Sequence, residues 1–304
     1  MSVQKSSSEM LKMPTSSPGQ TTTSQMGSKA LQKGITTFAL YAVILVAAAL
    51  TIIPFLWMLS TSLKTRDQLY VLPPAWIPDP VNFDSYRVLF DPLPFDTFFL
   101  NSTFVAVLST LGSLLACSLA AYAFARLRFP GREVIFALLL ATMMIPSQVL
   151  LLPLFILYKN INWLDTLYPL WVPAFFGSAF GTFMLRQFFL TLPSELTDAA
   201  KIDGCSHLGI YWRIILPLAG PGLATLGIFT FMGSWNSLLV PLIVISDIDL
   251  RTVPLGLAAL QGSNEVRLNA VMAASTLSVL PILIVFFFAQ KYFVEGVVLT
   301  GIKG

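Results

Sequence analysis

The chain has 304 residues, of which 56% are hydrophobic and 11% are charged, and its mean hydropathy is +0.77. A soluble domain usually carries about 25% charged residues, so this composition excludes an ordinary soluble protein and predicts an integral membrane protein. The net charge of +3 comes without a basic run, which excludes nucleic acid as a partner.

In chain order, residues 1–33 come first and are rich in Ser, Thr, Gln and Lys, a composition typical of a disordered tail. Apolar stretches of about 20 residues without a charge then predict transmembrane helices. Six such stretches follow the tail, and they predict an all-α membrane protein with one six-span domain over residues 34–304. The predicted spans are 35–63, 98–125, 134–157, 167–185, 223–245 and 268–290.

Lys and Arg residues set the predicted orientation, because cytoplasmic loops retain them. Twelve lie on the side of the N-terminal tail and six on the opposite side. Both termini are therefore expected in the cytoplasm. The proline-rich segment 64–97 becomes a long exterior loop, and segment 191–220 becomes a cytoplasmic loop.

The predicted spans contain no Asp, Glu, Lys, Arg or His. An ion-coupled transporter usually needs such a side chain within the bilayer, and so does an intramembrane or metal-dependent hydrolase. The one histidine, His207, lies in a loop and is expected to be solvated, and two separated cysteines suggest no disulfide framework. If a solute crosses this protein, the energy comes from another source.

Two spans carry uncharged polar groups near their middles, in the sequences "MIPSQ" and "GSWNS". Pro146 removes a backbone donor and loosens the helix, and transporters build solute sites at such broken helices. Gln148, Ser234, Trp235 and Asn236 are therefore candidates for a path taken by a neutral solute such as a sugar. The alternative is that the amides bond between helices and only hold the bundle together.

The loop at 191–220 is too long for a simple connection and predicts a helix-turn-helix knuckle. Pro193 and Ser194 favour a helix start, with Glu195 and Asp198 in the first turn, where the helix dipole favours acids. Helical spacing then places four residues on one flat face. These are Leu196, Ala199, Ala200 and Asp203.

The second half of the knuckle is marked by its own helix signals. Gly204 is placed to end the first helix in a left-handed conformation, Ser206 to cap a second helix, and Pro217 to mark the next break. A smooth face beside acids favours docking to another protein. The alternative, an amphipathic connector on the membrane surface, predicts a more basic polar face than this one.

The order Ala199-Ala200, three residues, Gly204, nine residues, Ile214, one residue, Leu216-Pro217 resembles the cytoplasmic coupling loop of permease subunits of ATP-binding-cassette importers. Asp198 stands where that loop usually has Glu. Further segments resemble the carbohydrate-uptake branch, and specifically the six-span subunit of maltose-type importers. They are "MMIPSQVLLLPLFIL", "FMLRQFFLTLPSEL", "SWNSLLVPLIVIS", "LRTVPLGLAAL" and "FVEGVVLTGIKG".

The resemblance implies a type I importer permease fold with cytoplasmic coupling helices, in a bacterial or archaeal cytoplasmic membrane. It also implies a second permease subunit, two ATPase subunits that bind ATP and Mg, and an exterior solute-binding protein. By the same resemblance, residues 82–90 of the exterior loop are expected to form a short helix that faces the binding protein. The chain contains no phosphate-binding loop of its own, so it is expected not to be an enzyme. The residues assigned to ATPase coupling are Glu195, Asp198, Ala199, Ala200, Asp203, Gly204, Ile214 and Pro217.

Other readings stay open at this point. An ATP-independent facilitator or channel for small neutral polar solutes also fits the uncharged spans, and a membrane scaffold without transport fits the composition. Within the importer reading, the solute could be a polyol, a glycosylated osmolyte or a glycerol phosphate ester in place of a sugar.

Overall fold

A computed structural model of the protein describes residues 23–91, 93–262 and 268–301, and within these ranges all regular structure is helical. The all-α class is therefore confirmed. The α-helices of the described ranges are α1 (Thr23–Ser62), α2 (Asp84–Phe90), α3 (Phe95–Arg126), α4 (Arg132–Ala141), α5 (Leu151–Asn160), α6 (Tyr168–Trp171), α7 (Ala179–Thr191), α8 (Ser194–Ile202), α9 (His207–Ile210), α10 (Leu216–Leu218), α11 (Gly220–Trp235), α12 (Leu239–Val244), α13 (Val253–Gln261) and α14 (Leu268–Gly301).

Three helices of the described chain are long and apolar enough to cross a membrane unaided: Gly34–Ser62 of α1, all of α3, and Leu268–Phe288 of α14. Two bent helix pairs reach that length together. Arg132–Met144 meets Ser147–Asn160 at 90°, and His207–Leu218 meets Gly220–Trp235 at 79°. By length and composition these make three spans, or up to five, so the sixth span stays a prediction.

The fourth predicted span, 167–185, is not one continuous helix. It consists of α6, a 3-10 helix at Val172–Phe176 and the first half of α7. Gly177 separates them with a φ of +79°, a left-handed conformation that favours glycine. Pro169, Pro173 and Gly177 are the signals of a break that this apolar stretch carries.

The third predicted span breaks where its proline predicted. Pro146 has an extended ψ of 130°, so the chain turns between the 3-10 helices Thr142–Met144 and Ser147–Leu150. Proline removes the amide donor that a continuous helix would use at this point. The 90° bend of the first helix pair follows from this break.

The chain divides into two compact units, and the first ends at Leu56. Its described part is most of α1, whose side chains from Gly34 onward are almost all exposed and apolar. Residues 1–22 of the predicted tail lie outside the described residues. The helix α1 begins at Thr23 and therefore includes residues 23–33 of the predicted tail. Adding residues to an existing helix is favourable once it is nucleated, so α1 extends past its apolar part.

The second unit begins at Trp57 and is organised around α3. This helix packs against α7 and α11 along a stripe of small buried residues, which lets helix backbones approach closely. At Gly181 of α7, for example, a Cβ atom would lie 2.7 Å from the Cys117 sulfur. The small buried residues of α3 are Ser102, Ala106, Ser109, Gly112, Ser113, Cys117, Ser118 and Ala121.

A second cluster of buried side chains surrounds the N-terminal end of α3, where it meets α2, α11, α13 and α14. Its members include Phe98, Trp235 and Val253, each at most 2% exposed. The Ser102 hydroxyl accepts a 2.8 Å hydrogen bond from the Val253 amide, and the Asn101 side chain donates to the Asp249 and Arg251 carbonyls. The two ends of α3 therefore hold different parts of the chain.

Candidate functional site

The first helix of the coupling loop forms as its sequence predicts. Pro193 supplies an extended residue before α8, Glu195 lies in the first turn and Lys201 in the last, in accord with the helix dipole. The Lys201 ammonium lies 3.6 Å from the Asp198 carboxylate, and both side chains are exposed. Such an exposed pair contributes little stability, so the helix depends on packing.

The turn after α8 confirms both predicted roles. Gly204 has a φ of +78°, and the Cys205 amide donates to the Ala200 carbonyl at 2.9 Å. This is a common way to end a helix with a left-handed glycine. The Ser206 hydroxyl then accepts a 3.2 Å hydrogen bond from the Gly209 amide and caps α9.

The second helix of the knuckle differs from the prediction in its C-terminal half. A π-helix at Tyr211–Ile215 follows α9 and leads directly into α10. Pro217 lies inside α10, at a position of the first turn where its missing amide breaks no helical hydrogen bond. The bend comes at Ala219, two residues beyond the predicted break. We call α8, the turn, α9, the π-helix and α10 together the knuckle (194–218).

The inner face of the knuckle is buried in the core of the second unit. Ala200, Ile210, Tyr211 and Ile215 are at most 5% exposed and belong to one cluster with side chains of α3, α7 and α11. The Tyr211 hydroxyl shares a 2.7 Å hydrogen bond with the Ser118 hydroxyl of α3. This bond joins the π-helix of the knuckle directly to α3.

Ala200 therefore lies where the sequence analysis did not expect it. The predicted flat face had Ala199 and Ala200 side by side and exposed, but only Ala199 is exposed. The helix turns Thr197 and Ala200 inward together, because residues three apart share a face, and Ala200 joins the buried cluster of α3, α7 and α11. A direct contact from Ala200 to another protein is not available in this structure.

The outer face of the knuckle combines acids with exposed apolar side chains. Ile202 is 87% exposed, Leu208 64% and Trp212 52%, and they lie beside exposed Ala199 and Leu196. Exposed apolar side chains outside a membrane span are typical of an interaction surface. Among the remaining predicted coupling residues, Ile214 is half-buried and packs on the core, and these five are exposed: Glu195, Asp198, Asp203, Gly204 and Pro217.

Arg126, the last residue of α3, links that helix to the start of the knuckle. Its Nη2 atom donates to the Phe189 carbonyl at 2.7 Å and to the Leu192 carbonyl at 2.6 Å. Both acceptors are at the end of α7, where helical carbonyls have no partner within the helix. The sequence analysis counted Arg126 only for orientation. The sequence signal for this role was the place of Arg126 at the boundary of a predicted span, one helix turn after Tyr122.

A second arginine reinforces this junction from α7. The Arg186 guanidinium lies 4.2 Å from the centre of the Phe136 ring and 3.7 Å from the Glu133 carboxylate, and its Nε donates to the Phe124 carbonyl at 3.3 Å. Contacts of a guanidinium with an aromatic face add to those with carboxylates. The ends of α3, α4 and α7 are thus tied together beside the knuckle.

The four candidates for a solute path lie in different surroundings. Gln148 is exposed, and so is Asn236, whose side chain donates to the Met232 carbonyl of its own helix at 2.8 Å. Ser234 is half-buried and lines a partly open pocket. Trp235 is 2% exposed, stacks on Phe231 and donates from its ring nitrogen to the Ser278 carbonyl.

These positions correct one part of the prediction. Trp235 is a packing residue of the core in this structure, because its indole finds all its contacts between α3, α11 and α14. The interhelical bonds proposed as an alternative for Gln148 and Asn236 are also not seen, since Asn236 bonds within its own helix and the Ser147 hydroxyl contacts the Gln148 amide. Among the described residues, no group of His, Cys, Asp and Glu is arranged to hold a metal ion.

Comparison with known proteins identifies the family to which this chain belongs. Residues 109–298 match the family described as "Binding-protein-dependent transport system inner membrane component". The chain belongs to this family. It is a permease, the membrane component of an ATP-binding-cassette importer, and is not itself the ATPase. The resemblance to permease subunits of carbohydrate importers is confirmed.

Relatives and solved structures agree with this assignment. The chain is 40% identical over 208 residues to the "Arabinooligosaccharides transport system permease protein AraQ" of Halalkalibacterium halodurans, covering 68% of this chain and 74% of that one. It is 36% identical over 252 residues to the "Sulfoquinovosyl glycerol transport system permease protein SmoH" of Agrobacterium fabrum, covering 83% and 88%. In fold it is similar to a chain of a bacterial ABC transporter involved in the import of the acidic polysaccharide alginate, with a TM-score of 0.74, 22% identity and coverage of 86% and 98%.

Proposed function

We propose that this permease imports a sugar or a sugar-like neutral solute. Two relatives are named for arabinooligosaccharides and for sulfoquinovosyl glycerol, which are both sugar derivatives. The predicted spans carry hydroxyls, amides and indoles and no ionisable side chain, which suits a neutral polyhydroxy compound. The relatives therefore support a sugar or a sugar derivative. Sulfoquinovosyl glycerol carries a sulfonate, so the neutrality of the proposed solute rests on the uncharged spans and not on the relatives.

The mechanism we propose for coupling uses the knuckle as a lever between an ATPase subunit and α3. The observation that carries the proposal is its two-sided construction, with an acidic and apolar outer face and an inner face buried on α3. Closure of an ATPase pair around ATP and Mg would push on the outer face. Because the Tyr211–Ser118 bond and the Arg126 contacts fix the inner face, the push would tilt α3 as a rigid body.

Within the outer face, we propose that four residues contact the ATPase subunit directly: Ala199, Glu195, Asp198 and Asp203. Ile214 and Gly204 would shape the knuckle, and Pro217 would end it. Ala200 would act through the core, by holding α8 against α3. A basic groove on the ATPase is the complementary surface, since three acids lie beside a small side chain at the centre of the docking face.

The remaining parts of the assembly follow from the family and the predicted orientation. We propose a heterodimer with a second permease subunit, two ATPase subunits on the cytoplasmic side and a solute-binding protein outside, in a bacterial or archaeal inner membrane. Both termini would then be cytoplasmic, with six spans in total. The short helix α2, which forms where one was expected, would face the binding protein.

Co-isolation and reconstitution test this function. We expect the affinity-tagged chain, solubilised from native membranes in a mild detergent, to carry an ATPase subunit with it. Reconstituted in liposomes, the complex is expected to take up labelled sugar only with ATP and binding protein. Uptake by the purified chain alone would support the facilitator alternative and refute the coupling proposal.

A pair of variants tests whether the outer face of the knuckle is the docking surface. Ala199→Arg adds a long cation to the docking face and is expected to abolish ATP-dependent uptake. Thr191→Arg adds the same side chain at an exposed position just before the knuckle and is the matched control. Equal uptake by the two variants would show that the outer face is not the docking surface.

A further inference from the structure

A partly open pocket of about 220 Å³ lies between α3, α6, α11 and α12 of the second unit, away from the knuckle. Hydroxyl groups dominate its polar lining, and no lining residue is ionisable. We call it the hydroxyl pocket. Its hydroxyl-bearing residues are Ser109, Thr230, Ser234, Ser237 and Thr252.

The hydroxyls of the pocket have hydrogen-bonding capacity to spare. Ser234 reaches Ser109 only at 3.5 Å, and Ser109 donates to the Leu170 carbonyl at 3.2 Å. Thr252 is 4% exposed, and its hydroxyl has no hydrogen-bond partner among the residues that the structure describes. A buried hydroxyl without a partner destabilises the folded protein, so a ligand that bonds to it offsets this cost.

The volume of the hydroxyl pocket and the chemistry of its lining restrict the class of ligand that it can bind. A dry cavity of about 150 Å³ is known to admit a benzene-sized ring, so 220 Å³ accommodates a six-membered ring with substituents. Apolar side chains of Leu170 and Val240 line the rest of the pocket and suit the C–H faces of a sugar ring. A charged ligand would be left without a counter-ion here.

We propose that the hydroxyl pocket binds one ring of a neutral sugar or a comparable polyol within this single subunit. This inference rests on the proposed function for the class of solute, and it adds a binding site that needs no residue from a second permease. Ser234 and Thr252 bond to ring hydroxyls from opposite sides, and Gly233 leaves room for the ring. A Cβ atom on Gly233 would have nothing within 4 Å.

Solute protection of an introduced cysteine tests the proposal in membranes that contain the assembled transporter. Ser234→Cys is labelled with methyl methanethiosulfonate in the presence of L-arabinose, D-glucose or glycerol, and each cysteine is followed by peptide mass spectrometry. We expect at least one probe to slow labelling at position 234 about tenfold when its concentration is ten times its dissociation constant. Labelling of native Cys205, in the knuckle, is expected to stay unchanged.

Three further variants keep the result independent of folding. Gly233→Leu fills the pocket and is expected to abolish protection in the Ser234→Cys background. Gly220→Leu adds the same side chain at the start of α11, also in open space, and is expected to retain protection. Thr252→Val preserves shape while removing the unpartnered hydroxyl, and we expect it to weaken protection about tenfold, the effect of losing one hydrogen bond of about 1.4 kcal/mol.

The outcomes separate this inference from the proposed function. If the complex co-isolates with its ATPase and imports sugar, but none of the three probes changes labelling at position 234, the pocket holds only water and the inference is overturned. If protection by a sugar is seen while ATP-dependent uptake fails, the pocket stands and the coupling proposal falls. Protection that survives Gly233→Leu would also overturn the inference, because the filled pocket cannot hold a ring.

Discussion

Arginine substitution at two adjacent alanines of α8 separates docking from folding. In the structure Ala199 is exposed, whereas Ala200 is 5% exposed and belongs to the same buried cluster as Tyr211 and Phe189. The two changes add the same side chain one residue apart. Ala200→Arg drives a cation into the core, while Ala199→Arg leaves it in solvent or at the docking surface.

The expected magnitudes differ widely. Burying an unpaired charge costs several kcal/mol even after relaxation, and the cluster around Ala200 offers an arginine no carboxylate. A surface substitution such as Ala199→Arg typically changes stability by less than about 0.5 kcal/mol. We therefore expect Ala200→Arg to lower the free energy of unfolding by at least several kcal/mol and Ala199→Arg to leave it nearly unchanged.

Fluorescence-detected size-exclusion chromatography after heating measures this difference in detergent. Ala199→Arg is expected to melt like the unmodified protein but to lose ATP-dependent uptake. Ala200→Arg is expected to melt at a much lower temperature or to fail to accumulate. If Ala200→Arg retains the melting temperature of the unmodified protein, its burial against α3, and with it the lever argument, is refuted.

Three further predictions concern contacts elsewhere in the second unit. Arg126→Gln removes charged hydrogen bonds worth about 1.5–3 kcal/mol each, and hydrogen exchange should show faster opening at the end of α7, which Arg126→Lys should not fully restore. Gly204→Ala meets no atom within 4 Å but keeps a φ of +78°, so thermal unfolding should report a loss of about 1–2 kcal/mol. The amides of Asp247 and Ser246 lower the pKa of Asp165 by donating to its carboxylate. Because that pKa is depressed in the folded state, the stabilisation is present above the unfolded-state pKa and is lost as pH falls through the folded-state value; Asp165→Asn should remove this acid sensitivity in melts across pH.

Each of these predictions has its own refuting result. Unchanged exchange at the end of α7 in Arg126→Gln would mean that the two carbonyls do not depend on the guanidinium. An unchanged melt for Gly204→Ala would show that the turn after α8 relaxes without cost. If Asp165→Asn melts with the same acid sensitivity as the unmodified protein, another carboxylate is responsible.

Much of the knuckle could be predicted from the sequence because its signals are local. The proline before α8, the glycine after it and the serine cap of α9 act within a few residues, and all three take their predicted conformations. The bend at Pro146 is predictable for the same reason. In each case one residue type imposes its backbone preference directly.

The features that could not be predicted from the sequence depend on residues that are far away along the chain. The sequence alone does not distinguish Ala199 from Ala200. Only the packing of the folded chain decides which of the two is buried. The same holds for Trp235, which resembles a solute-stacking residue until Phe231 and Ser278 are seen to surround it. Apolar composition also overestimates the length of a continuous helix. Residues 167–185 are predicted as one span, but the helix is broken at Gly177.

The row of serines and small residues on α3 has a consequence for how the protein is made. Ser118 pairs with a side chain 93 residues later, and Ser102 with a backbone amide 151 residues later. During synthesis α3 is complete long before Tyr211 and Val253 exist, so the Ser118 hydroxyl first bonds within its own helix, to the Leu114 carbonyl, and the Ser102 hydroxyl lacks its amide partner. We expect this helix to leave the insertion machinery late, and synthesis as far as α13, which carries Val253, to set when the subunit becomes resistant to membrane proteases.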